Sequence, residues 1–514
     1  MTKIKRQLGF TIIYAFVILF TAWSTHQLDQ STLVTQQKVG DPSIVKGKDQ
    51  FVPNLFLEGG ENIVHYDSKK VNPTVNEDVE FISSIKQQQE EPSQNTVSRT
   101  NELAENSLHE KTTEMEAKEQ NDNTLSEINK ETALDDPKTE DTQEKDPIPE
   151  ETEGKEVTLE EKINSIVGEM TLKEKIGQMM VVGFSSKQPD DHIKKMIEEY
   201  HIGGVIYYDR NMETPEQVAL LSNSLQGLAQ ASSEWQIPLM LSVDQEGGRI
   251  VRMKGHVTPI PSQQELGTRG DIQEIYATAK RTGTELALMG INVNYAPNLD
   301  LSKTDTRSFG ENPENAYLFG SQVVNGMTDS GITSTLKHFP GNGRSAVDPH
   351  QDTSSVEADK LDLENSDIYP FKKMIENVNH NRFFVMVTHI KYPAYDKDKP
   401  ASISSIIIQD LLRKQLGYTG IVVTDDLEMG AVNKYYSYQD LGYEAVKAGA
   451  DLLLVCHTLE NQVQVYNGIL NAIESGKLSQ SVIDDAVKRI LRHKFSSIQN
   501  IYVDPSAAKQ MVGK

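Results

Sequence analysis

The sequence predicts an α/β chain whose folded part is a (β/α)8 TIM-type barrel, preceded by an N-terminal transmembrane helix and a disordered acidic stalk. Three observations carry this. Eight short apolar runs alternate with amphipathic helical patterns between Gly177 and His457. Nearly every run ends on a polar, titratable residue. The residues before Val157 lack hydrophobic periodicity, apart from one apolar stretch at the start of the chain.

That stretch, Leu8 to Ser24, carries no charge and follows Lys3, Lys5 and Arg6. It is about the shortest length that spans a bilayer as a helix, with the basic residues on the cytoplasmic side. Ala22-Trp23-Ser24 is a poor small-x-small cleavage site, so residues 1–24 read as a basic tip and signal-anchor rather than a cleaved signal peptide. The expected location is a single-pass place in the cell membrane with the remainder extracytoplasmic, or secretion if the segment is cleaved. Residues 25–156 form the stalk. Asn101 to Glu160 holds twenty Asp/Glu against six lysines, too little apolar surface and too much like charge to fold, so it extends as a spacer. With 75 acidic against 51 basic residues and no basic stripe, nucleic acid is not an expected partner. The single cysteine, Cys456, allows neither an intrachain disulfide nor a lipid-modified N-terminus, and it sits in an apolar run as core.

The barrel is expected over 157–500, with 501–514 as a C-terminal tail. Its strand runs are Gly177–Phe184, Gly203–Asp209, Pro238–Glu246, Ile291–Asp300, Ile332–His338, Phe383–Ile390, Gly420–Asp426 and Ala450–His457. They are continuous rather than alternating, as strands covered on both faces should be. Helical patterns lie between them, including Thr214–Ala231, Ile272–Met289, Ala316–Ser330, Ser404–Leu416 and Asn461–Ser475.

The polar strand ends are Asp209, Asp244 with Glu246, Asp300, Lys337 with His338, Thr388 with His389, Asp425 with Asp426, and His457. In such barrels the catalytic groups sit at the C-terminal strand ends, so these side chains should meet at one rim. Any one of them alone could be a helix cap or an ion-pair partner; recurrence in unit after unit favours a site. Carboxylates and histidines dominate. The rim has no thiol nucleophile, no serine in a nucleophile elbow, and no phosphate-cradling loop, since Gly247-Gly248 lacks the spacing. His338, His350, His389 and Asp425 could gather round an ion, but no His-x-His or His-x-x-x-His pair supports this, and no metal or cofactor is expected. Acid and base catalysis by paired groups, as in glycoside hydrolysis, is the economical reading.

Lys337 to Gly343 followed by Asp348-Pro349-His350, with Val243 to Arg249 and Val423-Thr424-Asp425-Asp426-Leu427, resembles glycoside hydrolase family 3 β-N-acetylglucosaminidases, in particular those that trim peptidoglycan fragments. Asn294 to Asp300, Arg307 to Gly310 and Thr388-His389-Ile390 support the likeness, which runs from about Thr158 to His493. It implies a retaining hydrolase in which Asp425 is the nucleophile and His350 the acid/base, with Asp348 orienting the imidazole. Asp244, Arg307, Lys337 and His338 would bind the sugar. Partners would be GlcNAc-containing saccharides or muropeptides, met by a monomer. Asp426 is the weaker candidate for nucleophile, because family members keep the position after Ser/Thr and vary the next. Glu246 and Arg249 are expected to brace the rim, Asp300 to be structural, and Gly341 and Gly343 to give the loop hinge freedom.

Two residues depart from the pattern. Asn342 stands where relatives usually have histidine, and Pro349 where a small residue separates the dyad. Proline fixes its own φ and pushes Asp348 towards extended backbone, so it either preorganises the dyad or restricts the swing of the loop, and retained activity with changed turnover is expected. The rival activities are a family 3 β-glucosidase or β-xylosidase and a phosphorylase. A wall-binding protein with a disabled site is the rival outside enzymes.

Overall fold

The computed structural model describes residues 157–345 and 351–514. It opens on Thr158, whose hydroxyl accepts the N–H of Glu161 while the Glu161 carboxylate returns to the Thr158 N–H, a capping box that starts helix Leu159–Glu169. Thr171 and Glu174 repeat the device for Leu172–Gln178. Two threonine caps in succession therefore start the first helices of the fold.

Eight parallel strands follow: β1 Met180–Val182, β2 Gly204–Tyr207, β3 Met240–Val243, β4 Val293–Asn294, β5 Thr333–Phe339, β6 Phe383–Val387, β9 Val422–Thr424 and β10 Leu453–Val455. Seven lie inside the expected runs, and β5 overlaps its run and extends one residue past it to Phe339. They pair in the order β10-β1-β2-β3-β4-β5-β6-β9, and a parallel bridge between Val423 and Leu452 joins the two ends, so the sheet closes on itself. Every residue of these strands is buried. Helices cover the outer face and side chains fill the inside, and that double cover is why the runs read as unbroken apolar stretches.

The helices between strands begin where side chains can hold the first free N–H groups. Thr214 with Pro215 starts Pro215–Ser232, Asp271 starts Ile272–Leu288, and Asn312 with Pro313 starts Pro313–Thr328. Ile406–Gln415, expected as an ordinary helix, is instead wound as a π-helix. Between β6 and β9 the chain also makes an antiparallel ribbon, β7 Lys391–Tyr392 with β8 Asp396–Pro400. Its charged residues gave no apolar signal in the sequence. Residues 501–514 carry a helix, Pro505–Met511, with Ala508 and Val512 buried.

One expectation is corrected. Among the described residues no helix is long and apolar enough to cross a membrane, because the barrel helices each keep a polar face. Residues 1–24 and the stalk at 25–156 lie outside the described residues. Among the described residues the fold is accordingly the barrel with no membrane-crossing helix, and the expectation of a single-pass placement in a membrane is withdrawn.

Candidate active site

The C-terminal strand ends surround a cavity of about 680 Å³, within the usual range of small-molecule sites. Asp244, Glu246, Asp300, Arg307, Lys337, His338, Asp425, Asp426 and His457 all line it. Asp209, Thr388 and His389 do not line it. Asp348, Pro349 and His350 lie outside the described residues.

The first wall is built after β3. Asn294 on β4 accepts the Gln245 N–H through Oδ1 at 2.9 Å and donates from Nδ2 to the Gln245 carbonyl at 3.0 Å. With Gln245 gripped on both sides, Asp244 and Glu246 face the cavity. Lys337 Nζ sits between them, 2.7 Å from Asp244 Oδ1 and 2.7 Å from Glu246 Oε1. Glu246 also accepts a two-pronged contact from Arg307, at 2.7 Å from Nε and 2.9 Å from Nη2. Burial opposes the charge on Glu246, but Lys337 and Arg307 outweigh it and hold the carboxyl well below its ordinary value. Burial likewise opposes the Lys337 charge, and Asp244 and Glu246 overcome it and push its pKa up. The result is a row in which Lys337 and Arg307 alternate with the carboxyl groups of Asp244 and Glu246, with fixed donors and acceptors on the cavity.

The second wall is built around Asp300. Its Oδ1 accepts the backbone N–H of His338 at 3.1 Å and of Asn342 at 2.6 Å, and its Oδ2 lies 2.7 Å from His338 Nδ1. Burial raises the cost of its charge, yet His338 and these donors keep its pKa below the ordinary value. Asp300 therefore does more than brace the fold: it turns the His338 ring so that Nε2 points at Asp425, 4.0 Å from Oδ2. Lys337 and His338 are joined by a cis peptide.

Asp425 follows β9. Its Oδ1 accepts the Asp426 N–H at 2.9 Å, which leaves Oδ2 towards His338. Burial opposes its ionisation; His338 first, then His389, the Asp426 N–H and Lys337, lower its pKa nonetheless. Asp426 differs. Its Oδ1 accepts the N–H groups of Glu428 and Cys456, both at 3.1 Å, so it ties the end of β9 to the end of β10. The two adjacent aspartates thus have unequal surroundings, one with an oxygen turned to the cavity and one held by backbone.

Asn342 stands at the root of the loop that leads to residues 346–350. Besides its N–H on Asp300, its Oδ1 accepts from Thr388 Oγ1 at 3.1 Å. The neighbouring glycines allow close approach of the backbone. A Cβ on Gly343 would lie 1.9 Å from the Leu301 carbonyl oxygen, and one on Gly341, at φ +143, would lie 2.6 Å from Asp367 Cβ. The Tyr392 hydroxyl of the ribbon donates to the Gly341 carbonyl. Arg249 pairs with Asp305 at 2.9 Å rather than with the charged row. The sequence reading passed over Arg252, which lines the cavity 3.7 Å from Asp244 and lies over the Tyr208 ring. A second arginine three residues after Arg249, just beyond the segment already singled out, was the available signal. Among the described residues, no group of three or more His, Cys, Asp or Glu is placed to hold a metal ion.

A sequence profile described as "Glycosyl hydrolase family 3 N terminal domain" matches residues 171–493. The chain belongs to glycosyl hydrolase family 3. This family 3 chain is 32% identical over 368 residues to Beta-hexosaminidase A of Pseudoalteromonas piscicida, covering 63% of the chain and 61% of that relative. It is 32% identical over 300 residues to Beta-hexosaminidase of Actinobacillus pleuropneumoniae serotype 3 (strain JL03), covering 57% of the chain and 84% of the relative. Among solved structures it is similar to a glycoside hydrolase family 3 beta-N-acetylglucosaminidase from Paenibacillus sp. str. FPU-7, with a TM-score of 0.63 and 38% identity, over 65% of this chain and 64% of that one. The chain thus spans about three fifths of the first relative's length.

Proposed function

We propose that this chain is a retaining exo-β-N-acetylglucosaminidase that removes terminal β-linked GlcNAc, with peptidoglycan fragments as its substrate class and residues 157–500 as the catalytic domain. The observation that carries the reading is Asp425: a carboxylate on the cavity wall, kept ionised, with Oδ2 turned to His338 beside the charged row of Asp244, Lys337, Glu246 and Arg307. The relatives named beta-hexosaminidase and the family 3 beta-N-acetylglucosaminidase structure support the sugar class.

In this mechanism Asp425 Oδ2 attacks the anomeric carbon as the bond to the leaving oxygen breaks. His350, oriented by Asp348, gives its proton to that oxygen. Water then attacks the glycosyl-enzyme, passes a proton to His350 and frees Asp425, so the configuration is retained. The charged row and His338 hold the ring hydroxyls and the N-acetyl group. A pyranose ring of hydroxyls suits this wall, because carboxylates accept and Lys337 and Arg307 donate without titrating near neutrality.

The test compares the full chain with Asp425→Asn and His350→Ala on aryl β-N-acetylglucosaminides of good and poor leaving ability and on an aryl β-glucoside, with and without phosphate. Expected outcomes are preference for the N-acetylglucosaminide, loss of turnover in Asp425→Asn, and His350→Ala activity that survives only on the good leaving group. Preference for the glucoside, or a sugar 1-phosphate product, would replace this reading with one of the other two family activities.

A further inference from the structure

We propose that His389, which touches no part of the cavity, is a positioning residue that sets the aim of Asp425 by holding the carbonyl of Asp426. The inference rests on the reading of Asp425 as the nucleophile. His389 follows β6 and is fully buried. Its Nε2 is 2.8 Å from the Asp426 carbonyl oxygen and its Nδ1 is 2.7 Å from Ser402 Oγ. A carbonyl oxygen only accepts, so the ring proton is on Nε2, and Nδ1 accepts from the Ser402 hydroxyl. Burial lowers the His389 pKa, in keeping with a neutral ring that has one donor and one acceptor. Ser402 is itself fixed, since its backbone N–H donates to the Thr388 carbonyl at 2.9 Å. The tautomer is therefore dictated by the fold around it.

What His389 holds is the residue on which Asp425 depends. The Asp426 N–H donates to Asp425 Oδ1 at 2.9 Å, and its own side chain is pinned by the Cys456 and Glu428 N–H groups. Asp426 Oδ2 lies 3.3 Å from His457 Nε2, and the Asp426 carbonyl accepts both the Met429 N–H at 3.0 Å and His389 Nε2–H, so His389 is the side-chain hold on that carbonyl. With all of these satisfied, Asp426 presents its N–H in one direction, and the Asp425 carboxylate keeps Oδ2 on the cavity. Side-chain aim matters at a nucleophile because the reacting atoms must meet in line. The charged or titratable groups facing His389 are Asp425 and Asp426 after β9 and His338 at the end of β5. A histidine that only filled a buried niche would affect stability and leave the chemistry alone.

The experiment uses the full chain with His389→Ala, His389→Gln and Asp425→Asn. It measures kcat and KM on an aryl β-N-acetylglucosaminide with a good leaving group, the pH profile of kcat/KM, the urea midpoint, and labelling by a 5-fluoro glycosyl fluoride followed by peptide mass spectrometry. His389→Ala should lower kcat by roughly 10- to 100-fold, as misplacement of a reacting group does, with KM changed by less than about 3-fold. The acid limb of kcat/KM should move to higher pH, labelling of Asp425 should slow in parallel, and glutamine, which keeps a donor, should recover part of the rate. A lower urea midpoint with unchanged kcat and acid limb would make His389 a niche filler, and equal kcat in the alanine and glutamine variants would remove the donor argument. Label on a residue other than Asp425, or an active Asp425→Asn, would remove the nucleophile reading and this proposal with it.

Discussion

Lys494 offers a stability prediction that can be worked through in numbers. It projects from helix Gln480–Ser497 and is completely buried near the N-terminal end of β1, where its Nζ has one hydrogen-bond partner, Gln178 Oε1 at 2.8 Å. Burial without a counter-charge lowers its pKa from 10.5 to about 7. At about 1.36 kcal/mol per pKa unit, the charged form costs the folded protein roughly 5 kcal/mol below pH 7. The sign follows from proton counting. Between about pH 7 and 10.5 the unfolded chain binds the proton and the folded one does not, so stability rises with pH across that window. Lys494→Met conserves volume and removes the charge, but strands Gln178 Oε1, which costs about 1–3 kcal/mol. The expected net gain at pH 6 is about 2–4 kcal/mol by urea denaturation, shrinking by about 3 kcal/mol at pH 9.5. Because this face of a barrel serves stability rather than catalysis, kcat should not change. A variant less stable than the parent at pH 6, or a gain that does not shrink with pH, would refute the reasoning.

Other outcomes follow from the charged row and the loop root. Lys337→Met leaves Asp244 and Glu246 with fewer cations, so stability should fall by about 2–3 kcal/mol, less than for a fully unpaired buried charge, and kcat/KM by about 100-fold or more. Glu246 has a depressed folded pKa, so its contribution is present above the unfolded value of about 4.3 and is lost as pH falls below it. Urea midpoints between pH 6 and 3.5 should therefore drop less steeply in Glu246→Gln than in the parent. Asn342→Ala keeps the backbone N–H on Asp300 and loses only the Thr388 contact, so kcat should stay within about 3-fold, whereas Asp300→Asn, which reverses the donor facing His338 Nδ1, should cost about 100-fold.

The barrel was legible because strands covered on both faces leave unbroken apolar runs, and each of the eight marked a real strand. The rim was legible because Asp244, Asp300, Lys337, His338, Asp425 and His457 each end such a run. What could not be read were pairings between residues distant in sequence. Nothing in the sequence says that Lys337 sits between Asp244 and Glu246, or that Asp300 grips His338, because both contacts exist only once β3, β4 and β5 lie side by side. The ribbon β7–β8 was missed for the opposite reason: Asp396 to Lys399 look like a solvated loop, and their pairing rests on backbone hydrogen bonds that any side chains permit. The apolar stretch at the start of the chain drew attention by its composition, and the described residues give no membrane-crossing helix to accompany it.

The three donors converging on Asp300 have a consequence for how this sequence can change. One carboxylate holds the His338 ring through Nδ1 and the backbone of both His338 and Asn342 through two N–H groups, so a substitution at position 300 is felt at both places, whereas a side-chain exchange at 342 other than to proline leaves its N–H on Asp300. Changes at 300 and 338 should therefore be non-additive, with a coupling energy of about 0.5–3 kcal/mol in a double-mutant cycle. Position 342 can then vary in side chain without disturbing the ring, while the residue at 300 decides which changes are open at 338.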